Sequence, residues 1–99
     1  MRVELWVRDS LVRRTTGEPT HRFVTAWNDL KSKTARLAAE RAWKVCSLAP
    51  HLLETEEQDW RAGFDARAAG YGLSVGDIIM CGEVALKVDP DGFSSTSKP

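Results

Sequence analysis

The 99-residue chain has only two cysteines, two histidines, two methionines and one tyrosine. Two cysteines are too few for a disulfide scaffold, so a reducing, cytoplasmic setting is expected. No apolar run reaches the roughly 18–20 residues of a membrane span, so no membrane partner is expected. The opening residues MRVELWVRDS lack the apolar stretch and cleavage site of a secretory signal. Net charge is missing too: fourteen Lys+Arg stand against fourteen Asp+Glu. At 42% apolar and 28% charged residues the composition is globular, which excludes wholesale disorder and collagen-like repetition. The length suits one domain, expected over residues 1–93, with a flexible polar tail, SSTSKP, over 94–99.

Tryptophan, by contrast, is plentiful, with four in the chain. Charge is also uneven in position: residues 1–44 carry ten basic and five acidic groups, residues 45–99 four basic and nine acidic. Either the two halves pack together and neutralise, or the surface is bipolar and steers a charged partner.

Val3, Leu5 and Val7 alternate with Arg2, Glu4, Trp6 and Arg8, the period of a half-buried strand. Trp6 falls on the charged side, where a covering helix is the first expectation. Residues 8–20 read as a loop or wide hairpin punctuated by Gly17-Glu18-Pro19, and His21–Ala26 as an antiparallel second strand. From Trp27 the period lengthens. Trp27, Leu30, Thr34, Leu37, Ala38, Val45 and Leu48 make one stripe of a helix over 29–48, capped by Asn28 or Ser32 and ended before Pro50. Thr55 and Gln58 have the spacing of a capping box that opens a second helix with a Trp60, Phe64 and Ala68 seam, ending at Gly70. Residues 78–81 and 84–89 read as a hairpin turned at Gly82-Glu83, and Asp89-Pro90-Asp91-Gly92 turns the chain into a last strand begun by Phe93. The expected fold is α+β, in ββααβββ order, with a mainly antiparallel small sheet and two helices packed on one face.

Several chemistries fail on context. Gly72-Leu73-Ser74-Val75-Gly76 matches the hydrolase nucleophile string, but that elbow needs a strand before it, a helix after it and a later histidine, whereas His21 and His51 both precede Ser74. Gly70-Tyr71-Gly72 runs from helix to strand, the reverse of a dinucleotide site. Cys46, Cys81, His21 and His51 form no metal-type pair, so the thiols are expected as small buried hydrophobes. Glu54, Glu56, Glu57 and Asp59 are accounted for by helix capping, and Asp77 by bonds to nearby amides. No catalytic residue, metal or cofactor is nominated, and the chain is not expected to be an enzyme.

Lys31, Lys33, Arg36, Arg41 and Lys44, with Arg13-Arg14 in the loop, offer a phosphate-binding cluster. A DNA-binding domain ordinarily carries a pI above about 9; this chain's is near 6.7. A protein partner fits better, because Trp and Arg dominate interface hot spots and so small a core shelters four indoles with difficulty. At least one of Trp6 and Trp43 is expected to reach solvent.

The run LSVGDIIMCGEVALKVDPDGF resembles the signature of small YodL-like bacterial, plasmid and phage proteins. The matching positions are Leu73 to Ile79, then Val88, Asp89, Gly92 and Phe93, with Gly72 where that signature has serine. The resemblance covers about a fifth of the chain. It implies a phage- or plasmid-borne origin and a β-rich C-terminal half, and carries no activity to transfer. The expected function is a non-enzymatic protein–protein interaction module that binds a host or self protein through Trp6, Arg8, Arg36, Trp43 and Lys44. The alternatives are a nucleic-acid-associated protein using the basic helix 31–44 and, for the partner, a second copy in a homodimer.

Overall fold

The computed structural model describes residues 1–9, 20–68 and 72–99. Strands β1 (Arg2–Asp9) and β2 (Thr20–Asn28) are followed by helix α1 (Ala35–Ser47), a single 3₁₀ turn (Pro50–Leu52) and helix α2 (Thr55–Ala68). Strands β3 (Ile78–Cys81), β4 (Val84–Asp89) and β5 (Gly92–Ser95) complete one sheet in the order β2-β1-β3-β4-β5, with every pair antiparallel. The α+β architecture is as the sequence predicts. Residues 10–19 and 69–71 lie outside the described residues, and with them the Gly17-Glu18-Pro19 turn, Arg13-Arg14 and the Gly70-Tyr71 pair.

Alternation sorts the sheet into two faces. Val3, Leu5, Val7, Trp27, Ile79, Cys81, Leu86 and Val88 join Ala38, Ala39, Ala42, Val45, Phe64 and Ala68 of the helices in one core. Trp6, Ile78, Met80 and Ala85 form a separate cluster on the opposite face. Neither described helix packs on Trp6, contrary to expectation, and it meets Phe23 edge to face at 5.4 Å. The predicted α2 seam does lie on the sheet: Trp60 stacks on Trp27 at 5.0 Å, with Phe64 and Ala68 buried below it.

The first helix starts six residues later than its apolar spacing suggests. Trp27 belongs to β2, opposite Val3. Asp29, fully buried, accepts the amides of Lys31 and Ser32 and the Ser32 hydroxyl, and this side-chain turn holds the backbone out of a helix. Thr34, not Asn28 or Ser32, is the cap, its Oγ1 accepting the Leu37 amide at 3.2 Å. The buried side of α1 is made of Ala38, Ala39, Ala42, Val45 and Cys46, so the predicted stripe is correct at Ala38 and Val45 only. The capping box of α2 also sits one residue early, Glu57 accepting the Glu54 amide at 3.2 Å.

In the C-terminal half, Gly82 has the positive φ (62°) needed at the first position of the tight turn. Asp77 accepts the Ser74 and Arg8 amides at 2.8 and 3.0 Å, which pins the turn before β3 to β1. Polar residues of the tail take part in the ladder: Ser94 and Ser95 lie in β5, and the Thr96 amide donates to Ala85.

Candidate functional site

The nominated residues fall into two groups on opposite sides of the sheet. Arg36, Trp43 and Lys44 lie on the outer side of α1, because residues three, four and seven apart share a helical face. Arg36, Glu40 and Trp43 form one ridge, and Leu37 with Lys44 the ridge beside it. Arg36 meets Glu40 at 3.8 Å. Trp43 is 38% exposed and Leu37 49% exposed, and Leu30, just before the helix, is 82% exposed. Leu48 and Leu52 add open aliphatic surface past the helix's C-terminus. Leu37 borders a hollow of about 430 Å³ that α1 shares with Lys31 and Glu54. Sequence spacing marks Trp43 as lying off the buried stripe. It misses Leu30 and Leu37, which it assigns to the core.

Arg41, nominated as part of a phosphate-binding cluster, points inward. Its guanidinium meets Glu57 at 2.7 Å, Asp29 at 2.9 Å and Glu56 at 3.2 Å, and lies over the Trp60 ring at 4.6 Å. Burial works to raise the Glu57 carboxyl, but bonds from Arg41, Lys44 and the Glu54 amide outweigh it and hold it below its ordinary value. Asp29 is likewise held low: burial opposes ionisation, while bonds from Ser32 and Lys31 and the Arg41 charge favour it more. Lys44 reaches Glu57 at 2.9 Å and Lys31 reaches Glu54 at 3.2 Å. Four of the five basic side chains of 31–44 thus have a carboxylate within 4 Å. A phosphate backbone would compete with those partners, which weakens this helix as a nucleic-acid contact.

Trp6 and Arg8 share the sheet face turned away from the helices. Trp6 is half-buried and donates from Nε1 to Glu4 at 3.0 Å. Arg8 is exposed and its side chain passes over Gly76, where a Cβ would come within 2.6 Å of Arg8 Cδ. Gly76 also has φ of 94°, a conformation that favours glycine there.

The described residues offer little for nucleophilic chemistry. The Ser74 hydroxyl bonds Asp77 at 3.3 Å, and burial pushes the thiols of Cys46 and Cys81 up to about 12. Among the described helices, none is long and apolar enough to cross a membrane. Comparison with protein families, curated proteins and solved structures found no match to this chain.

Proposed function

We propose that this chain is a non-enzymatic interaction module that docks another protein through the outer strip of α1. The observation that carries this reading is the exposure of Trp43 and Leu37 together on a helix whose opposite side is fully packed. An indole flanked by arginine is the side-chain chemistry of an interface anchor. Arg36, paired with Glu40, and Lys44, paired with Glu57, rim the strip, so the fitting partner has an apolar slot for the Trp43 ring with a polar border. Trp6 and Arg8, on the far side of the sheet, are not part of this surface. A phage- or plasmid-borne protein acting on a host protein is the biological setting we infer, from the likeness of the 73–93 run alone.

The test is comparative capture from a lysate of the producing cell with the wild-type chain, W43A, R36E and a remote control, F23A. A protein held by wild type and F23A, and lost with W43A and R36E, is expected. Equal retention by all four chains would remove α1 as the docking surface. Retention of nucleic acid, with affinity falling steeply with salt, would favour the basic-helix reading instead.

A further inference from the structure

We propose that the sheet face opposite the helices holds a second site, a cleft that takes a small organic anion with an apolar body. The cleft has a volume of about 990 Å³, within the size range of small-molecule sites. Ile78, buried on this face, forms its floor, and Val75 and Pro90 add apolar surface at its edge. The segment Thr96–Pro99 forms one wall. That wall is tied to the sheet by the Thr96 amide on Ala85 at 3.1 Å, and Lys98 pairs with Glu83 at 2.7 Å on the surface. Lys98 is already paired there, with both side chains exposed.

Two other cations line the cleft with little counter-charge. Among the described residues no carboxylate lies within 4 Å of the Arg8 guanidinium, and Lys87 has only Asp89, at 3.9 Å. Register brings the two together: β3 lies between β1 and β4, pairing Trp6 with Ile78 and Ile78 with Lys87, so Arg8 and Lys87 flank the end of β3 on one face. The missing side chain at Gly76 gives Arg8 room to lie across that end. His21, opposite Arg8 on β2, is held by its Nε2 against the Gly76 carbonyl at 2.8 Å. A carbonyl only accepts, so Nε2 carries the proton and the ring is a fixed side of the cleft. Arg8 and Lys87 would receive a carboxylate or phosphate by charge-assisted bonds, while Ile78, Val75 and Pro90 shelter the ligand's carbon body.

The probe is anilinonaphthalene sulfonate, an aromatic body with one anionic group, and its neutral counterpart is N-phenylnaphthylamine. The sulfonate dye is expected to bind the wild-type chain with enhanced emission and to shift the His21 ring resonances. R8Q and K87Q should each weaken it about tenfold, leave the neutral dye unchanged, and retain the wild-type unfolding midpoint. W43A should bind like wild type, which keeps this site distinct from the α1 strip. Displacement by naphthoate or by naphthyl phosphate tells which anionic head the cleft prefers. Unchanged dye affinity in R8Q and K87Q, or neutral dye binding as tightly as the sulfonate, would overturn the proposal. So would loss of the dye with W43A, which would put it on the helix. Should R8Q fail to fold, K87Q, whose side chain is exposed, decides alone.

Discussion

Arg41 holds the carboxylates of Asp29, Glu54, Glu56 and Glu57 and the Trp60 ring at once, so removing it strands buried charge as well as deleting contacts. R41Q is expected to lose about 3–5 kcal/mol in urea unfolding, the usual cost of orphaning a buried ion pair. A loss below about 1 kcal/mol, the scale of an exposed pair, would mean the cluster is solvated. The same carboxylates set an acid limit. Glu57 and Asp29 have folded values below their ordinary 4.5 and 3.8, so their contribution is complete above those values. It is lost as pH falls through the lower folded values. Thermal midpoints taken between pH 6 and pH 2 should decline most below about pH 4, and R41Q should flatten that decline. Trp43 gives a third readout: acrylamide should quench a red-shifted component that W43F removes, with Trp27 and Trp60 shielded. The openness of Trp43 was legible in its spacing from the apolar positions. The Arg41 cluster was not, because Asp29, Arg41 and Glu57 meet only when the turn after β2 and two helices converge.

At the scale of elements, α1 shows how a spacing pattern misleads. Leu30, Thr34 and Leu37 recur at helical steps after Trp27, yet Trp27 follows the two-residue period of β2 and Asp29 turns the chain before any helix begins. The side that packs is built largely of alanine, which carries little hydropathy and so leaves the larger leucines to dominate the pattern. Those leucines are exposed, and they became legible as a candidate surface only when the core was seen to close without them. Ala42→Leu should therefore destabilise by about 1–3 kcal/mol through overpacking beneath the helix. Leu37→Ala, on the outer side, should stay within about 0.5 kcal/mol of wild type. Equal effects in chemical denaturation would place the helix in the rotation the leucines suggest. The strands were easier to read, since alternation in β1 and β4 and the turn residues at Gly82 and Gly92 need only local geometry.

Across the whole molecule, the sheet separates two surfaces that the sequence lists together. Trp6 and Arg8 fall on one side and Arg36, Trp43 and Lys44 on the other, a division fixed by strand order and register, which no local pattern specifies. The cleft beside Arg8 depends on the same long-range facts, since Lys87 reaches it only because β3 lies between β1 and β4. Substitutions on the two sides should accordingly act independently: W43A combined with K87Q should show the sum of the single effects on partner binding and on dye binding. The most direct measurement is photo-crosslinking in the producing cell from a benzoylphenylalanine placed at position 43, with the same residue at exposed position 84 as control. A discrete protein adduct from position 43 and none from position 84 is the predicted result. Adducts with nucleic acid, or equal labelling from both positions, would contradict a protein-docking role for the outer strip of α1.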